Sequence, residues 1–188
     1  MYEIQTERLL LRGWREGDWN ELHHTYGDAE VMDWIGSPAL SVETTAFAVG
    51  RMSMHWSLLG YGMFAAEERT TGELVGRVGL MRHPDWPLEG PKVEVGWTLR
   101  RSAWGRGYAT EGAKASLAFG FEELGLPTIF SMTRPDNARS QAVMERCGLT
   151  VRGELEFHGS RLLYSAIDRG DWPPAGIELP AIGIHRTA

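Results

Sequence analysis

Residues 93–111, VEVGWTLRRSAWGRGYATE, read first as a strand, then as a tight turn, then as the opening of a helix. Val93, Val95, Trp97 and Leu99 alternate with Glu94, Gly96, Thr98 and Arg100, the period of a half-buried strand. Arg101 to Gly107 is rich in glycine and arginine. A glycine-rich turn that feeds a helix N-terminus is an anion site, because the first helical N–H groups lack internal partners and the macrodipole favours negative charge there. Gly105 and Gly107 carry no Cβ, so the backbone can approach a phosphate closely. The N–H groups of Tyr108, Ala109 and Thr110 are the next donors. The side chains of Arg101 and Arg106 either add charge to the site or lie as solvated arginines.

Downstream, Ala109, Ala113, Leu117, Phe121 and Leu124 keep a helical spacing over four turns, and Gly125 and Pro127 end it. Thr128–Thr133 reads as a strand, Asn137–Cys147 as a helix stopped by Gly148, and 149–154 and 161–167 as paired strands around His158-Gly159. The tail from Asp168 holds three prolines and is expected to pack loosely over the surface. Upstream, Thr6–Trp14 reads as one strand. Asp18, with Glu21 three residues on, reads as the N-cap of a helix ending at Gly27. Residues 30–40 are irregular, and Ser41 caps a second helix to about Leu58. Tyr61–Glu67 and Glu73–Met81 form a hairpin about Thr70-Thr71-Gly72, and the proline-rich stretch from His83 to Pro91 is a loop. The order predicts an α/β chain: a twisted, mixed, mostly antiparallel sheet of about seven strands flanked by about four helices. A crossover at 93–133 supplies one parallel pair.

At 188 residues the chain reads as one domain, 1–188, with 169–188 as a C-terminal tail. A chain of this length buries about 70% of its unfolded surface. A formal net charge of −6 speaks against a nucleic-acid ligand and suits an amine-bearing partner. Cys147 is the lone cysteine, so no disulfide within the chain and no cysteine zinc site is expected. The six histidines, His83 among them, show no metal-ligand spacing and default to core or surface roles. No apolar run approaches a membrane span, and the start lacks the pattern of a signal peptide, so a cytoplasmic location is expected. Two other phosphate sites are excluded by pattern. A dinucleotide fingerprint needs a third Gly or Ala where Thr110 stands, and a Walker A loop needs Gly-Lys-Ser/Thr.

Three stretches together resemble the GNAT superfamily of N-acetyltransferases, in its RimJ/RimL-type branch. WGRGYATE, Trp104–Glu111, looks like the acyl-CoA pyrophosphate loop. PDNARSQAVMERCGL, Pro135–Leu149, is similar to the family's Asn-x-x-Ser helix, and GELVGRVGL, Gly72–Leu80, matches its third strand. The resemblance spans nearly the whole chain, from Thr6 to Asp171-Trp172. Two positions depart from it. The loop's usual first Gln/Arg falls on Ser102, and the tyrosine that often serves as general acid is replaced by Met144.

The resemblance implies acetyl transfer from acetyl-CoA to a primary amine, at a protein N-terminus or on a small molecule, with no metal and with a homodimer as one option. The cofactor-binding set it implies is Trp97, Thr98, Leu99, Trp104, Gly105, Arg106, Gly107, Tyr108, Ala109, Thr110, Asn137 and Ser140. Glu94 is the candidate general base, needed because a primary amine, with an ordinary pKa of ~10, is protonated near neutral pH. Its alternatives are substrate binding or a salt bridge on the sheet face. Ser140 is the candidate proton donor to the leaving thiolate, or a satisfied helix serine. Asn137 either touches the pantetheine arm or simply caps its helix. Trp14, Trp19, Trp34, Trp56 and Trp86 line an acceptor pocket or fill the core. A second reading is a non-catalytic acyl-CoA-binding or sensing module, which Met144 admits and Glu94 and Ser140 oppose. A third is a nucleotide-binding domain of another fold.

Overall fold

The computed structural model describes residues 1–90 and 92–187; Pro91, at the end of the expected loop, and Ala188, at the end of the tail, lie outside the described residues. Nine strands form one sheet: β1 (Tyr2–Gln5), β2 (Leu9–Arg12), β3 (Met63–Glu68), β4 (Leu74–Arg82), β5 (Val93–Leu99), β6 (Thr128–Thr133), β7 (Thr150–Phe157), β8 (Ser160–Asp168) and β9 (Gly183–Arg186). Their order across the sheet is β7-β8-β6-β5-β4-β3-β2-β1-β9. Among the described residues five α-helices accompany it: α1 (Asp18–Tyr26), α2 (Ala29–Asp33), α3 (Val42–Leu59), α4 (Tyr108–Ala118), which runs on into a π-helical turn at Phe119–Glu123, and α5 (Ala138–Arg146).

The sheet is mixed and mostly antiparallel, as expected, with two strands and one helix beyond the expected counts. The stretch read as a single strand, Thr6–Trp14, is split from an earlier strand by a turn at Thr6, whose Oγ1 accepts the Leu9 N–H at 2.9 Å. The tail does not pack loosely: β9 pairs antiparallel with β1, Tyr2 facing Arg186 and Gln5 facing Gly183. The region read as irregular holds α2, opened by the Asp28 side chain, which accepts from the Glu30 N–H at 2.9 Å. Asp18 is the first residue of α1, not its cap. Gly17 in the left-handed region takes that place, and the Asp18 carboxylate, 8% exposed, receives Arg12 at 2.7 and 3.0 Å.

Two apolar clusters lie on opposite faces of the sheet. One joins Leu9, Leu11, Phe64, Val78, Leu80 and Val95 to Ala113, Leu117 and Phe119. The other joins Met63, Ala65 and Leu74 to Leu22 and Tyr26 of α1 and to Val49 and Met52 of α3. The inward face of α5 also differs from the expected one. Met144 (2% exposed) and Cys147 (0%) point into the core and half-buried Val143 packs against it as expected, whereas Ala138 is exposed and Ala142 is half-buried. Among the described residues no helix is long and apolar enough to cross a membrane.

The one parallel neighbour pair among the described residues, β5 and β6, meets at Glu94 and Phe130. Beyond that point the strands part. Gly96–Leu99 and Ser131–Thr133 line opposite sides of the gap, which widens into a cleft of about 1660 Å³. Peptide groups that would pair in a continuous sheet face this gap instead, so a linear ligand can dock there by strand-like hydrogen bonding.

Candidate active site

At one end of the cleft, α4 begins without a side-chain cap, on Gly107 at φ 81° and two residues after Gly105 at φ 73°. Both glycines hold the left-handed backbone, which costs a residue with a Cβ about 1–2 kcal/mol. Among the described residues, none of the N–H groups from Gly105 to Thr110 has a protein partner. That run of donors at a helix N-terminus is a cradle for a diphosphate.

The guanidinium at this cradle is not one of those singled out in the sequence. Arg106 turns away from the cleft, pairing with Glu68 at 3.0 Å and lying 4.7 Å from the Tyr108 ring centroid. Arg101, also outside the cleft, binds Glu30 at 2.8 Å and Asp28 at 3.4 Å. Arg8 lies there instead. Its Nη1 donates to the Arg106 carbonyl at 2.7 Å, and its Nη2 is 3.2 Å from where a Cβ on Gly107 would sit. Buried Glu111 fixes it, accepting from Arg8 Nε at 2.7 Å, the Arg8 N–H at 2.9 Å and Thr6 Oγ1 at 2.6 Å. The Thr6–Arg8 turn and the first turn of α4 are thereby one unit. Lys114 and Arg146 add positive charge along the same side of the cleft.

Trp97, Thr98, Leu99, Trp104, Gly105, Gly107, Tyr108, Ala109, Thr110, Asn137 and Ser140 all line the cleft, and so does Glu94. The Tyr108 side chain itself is buried, its hydroxyl donating to Glu68 at 2.5 Å. Burial first, and then this bond to a carboxylate, raise its pKa above the ordinary phenol value. Asn137 caps α5, its Oδ1 accepting the Ser140 N–H at 3.1 Å. Ser140 thus sits in the first turn of α5, half-buried, with no protein partner for its Oγ among the described residues. Met144 is in the core and does not line the cleft.

At the opposite end of the gap, Glu94 Oε2 lies 2.8 Å from His83 Nε2, with the two side chains 13% and 19% exposed. Burial disfavours the imidazolium, but the hydrogen bond and charge of Glu94, with Asp85 behind it, outweigh burial and hold His83 above the ordinary histidine value. Asp85 in turn pairs with His158 at 2.9 Å. In the sequence His83 is one histidine among six, with a default role. The signal that finds it is the hairpin register: β4 and β5 pair Arg82 with Val93, and His83 N–H donates to Lys92 O at 2.7 Å. Glu94 is then a diagonal neighbour two residues on, within reach of long side chains.

The tryptophans divide unevenly. Trp86 is buried and stacked on Phe130 at 4.3 Å, and Trp14 and Trp56 both donate to the Met63 carbonyl at 2.9 Å. Trp19 does not line the cleft; Trp34 does. Arg139 spans the cleft mouth between the Trp104 and Trp34 rings, 4.3 and 5.4 Å from their centroids. Residues 178–181 of the tail close another side of the cleft.

An open strand gap, a diphosphate cradle and a carboxylate–imidazole pair at its far end invite comparison with known proteins. Residues 8–150 match the family model of the acetyltransferase (GNAT) domain. The chain belongs to the GNAT acetyltransferases. Acetyl-CoA is the acyl donor this family uses. An FsC-acetyl coenzyme A-N(2)-transacetylase of Aspergillus fumigatus is 33% identical over 159 residues, 80% of this chain. The match spans only 61% of that protein's length. The crystal structure of a GNAT-family acetyltransferase from Bacillus anthracis superposes with a TM-score of 0.76 at 27% identity, covering 89% of this chain and 99% of that one. A spermidine N-acetyltransferase from Vibrio cholerae, solved with CoA and spermine, shares the fold at 19% identity, with a TM-score of 0.69 over 86% of this chain and 96% of that one.

Proposed function

We propose that this GNAT protein moves an acetyl group from acetyl-CoA to a primary amine by direct attack, with the Glu94–His83 pair receiving the amine's proton. The hydrogen bond inside the cleft between Glu94, on the strand that flanks the gap, and His83, just after β4, carries this reading. The diphosphate of CoA lies on the N–H groups of residues 105–110 beside Arg8. The pantetheine arm follows Trp97–Leu99, and the thioester lies towards Glu94. The amine gives its proton to the pair, and its nitrogen bonds the thioester carbon. A β5 N–H holds the oxyanion, and the C–S bond breaks to release CoA thiolate. Ser140 or solvent protonates that thiolate. Most of the acceleration comes from holding amine and thioester side by side, worth ~7–11 kcal/mol. Placement in the RimJ/RimL-type branch rests on the three sequence motifs.

The test is CoA release from purified protein with acetyl-CoA and a panel of primary amines. Turnover with at least one amine, lost in Glu94→Gln while acetyl-CoA still binds, is the expected result. Acetyl-CoA binding without release for any amine favours the binding or sensing module. Absence of acetyl-CoA binding at millimolar ligand overturns both.

A further inference from the structure

The acceptor end of the cleft holds a cation without an anion. Arg77 projects from β4 on the face that carries Glu94, where Thr98 is its cross-strand neighbour and Met81 is that of Glu94. Between these rows Gly79 faces Gly96. Neither has room for a side chain: a Cβ on Gly79 would come within 2.5 Å of the Gly62 carbonyl oxygen, and one on Gly96 within 2.9 Å of Met63 Cε. A trough therefore runs from Arg77 to Glu94 over Gly79 and Gly96, with the Met63 side chain packed against Gly96, between rows about 13 Å apart along the strands.

The Arg77 guanidinium is half-buried, its Nε donating to the hydroxyl of Tyr26 and its Cζ 5.9 Å from that ring's centroid. Among the described residues neither Nη has a partner and no ion pair forms. Two parallel N–H donors on a guanidinium held by its other edge match a carboxylate. The acids at this end are already engaged, Glu94 by His83 and Asp85 by His158. Arg51 also lines the cleft, although the chain as a whole carries −6. The charge of Arg77 also reaches His83, where it opposes protonation.

We propose that the acceptor amine also carries a carboxylate, that Arg77 binds it, and that the substrates are small amino acids or close analogues rather than polyamines. This rests on the acetyl-transfer reading above. The test pairs amino acids with their carboxamides, with aminophosphonates and polyamines as further arms. kcat/KM for the carboxylate is expected to exceed that for its amide by at least roughly tenfold, the discrimination a charge-assisted bidentate contact gives. Arg77→Gln is expected to bring that ratio near unity without weakening acetyl-CoA binding, with a melting curve to confirm folding. Equal use of acid and amide, a preference for polyamines, or an Arg77→Gln effect on acetyl-CoA alone overturns the proposal; a preference for aminophosphonates overturns the carboxylate assignment.

A second measurement does not depend on turnover. Calorimetry on the CoA-bound protein compares an N-acetyl amino acid with its amide. Tighter binding of the acid, lost in Arg77→Gln, supports the proposal even if no amine releases CoA. Equal binding refutes it even if acetyl transfer itself is established.

Discussion

His83 and Glu94 are joined at 2.8 Å inside a cleft, so a proton taken up there is shared between an imidazole and a carboxylate. The pair accepts the amine's proton when His83 is neutral, and His83 is held above the ordinary histidine value. Activity is therefore expected to rise with pH through a step above the usual histidine range. His83→Gln leaves a lone carboxylate. It should move that step to lower pH and reduce kcat roughly 10–100-fold, less than the loss of a general base outright because the carboxylate remains. A pH profile of kcat/KM checks this; an unshifted step assigns the titration to another group.

The same pair sets a sign for stability. A histidine raised in the folded state stabilises fully below its unfolded value, and that contribution disappears as pH rises through the folded value. The melting temperature of His83→Gln should thus fall further below wild type at about pH 6 than at about pH 9. A deficit independent of pH makes His83 a packing residue only.

Glu111 holds three donors from the Thr6–Arg8 turn, and with Arg8 it ties the N-terminal strands to the diphosphate cradle. Glu111→Ala leaves the Arg8 N–H and Nε without their acceptor, and buried Thr6 Oγ1 with only the Leu9 carbonyl at 3.2 Å. The cost is expected to be about 2–3 kcal/mol in urea unfolding, below the value for a fully buried pair because Arg8 is 43% exposed. Acetyl-CoA should also bind more weakly, since Arg8 is no longer positioned beside Gly107. Unchanged affinity would remove Arg8 from the cradle.

What can be read from the sequence follows the range of the interactions. The β5–turn–α4 segment is legible because alternation, glycine placement and helical spacing are all local, and the observed strand, Val93–Leu99, keeps those bounds. The Asn137 cap and the Thr128–Thr133 strand are legible for the same reason. The rest depends on partners far along the chain. Arg8 reaches the loop from 98 residues away, so no local pattern chooses it over Arg106. Strand β9 owes its existence to β1 at the other end of the chain, and residues 183–186 alone carry little strand signal. His83 needs the β4–β5 register, which a proline-rich loop hides from spacing arguments.

Cys147 is fully buried, and burial pushes its thiol pKa up to about 12, with Lys114 and Arg146 opposing. A thiol with so little thiolate is neither a nucleophile nor an easy target. Iodoacetamide should label the folded protein far more slowly than the urea-unfolded chain, and activity should survive the treatment. Rapid labelling of the native state would mean that the α5–α4 contact opens readily.

Ser140 and Glu94 face different halves of the reaction, and their variants should differ in size. Ser140 lies in the first turn of α5, where the helix dipole already favours a nearby anion. The departing CoA thiol resembles a cysteine thiol, which ordinarily titrates at about 8.5, so it leaves as a thiolate with little need of an acid. The amine, which ordinarily titrates at ~10, cannot attack until its proton is gone. Ser140→Ala is therefore expected to lower kcat by roughly tenfold or less, and Glu94→Gln by roughly 10²–10⁴-fold. Measured at saturating acetyl-CoA across pH, the Ser140 effect should stay nearly flat, whereas the Glu94 effect should shrink at high pH as free amine becomes available. A Ser140→Ala loss that equals or exceeds that of Glu94→Gln would make protonation of the leaving group, not deprotonation of the amine, the step that limits turnover.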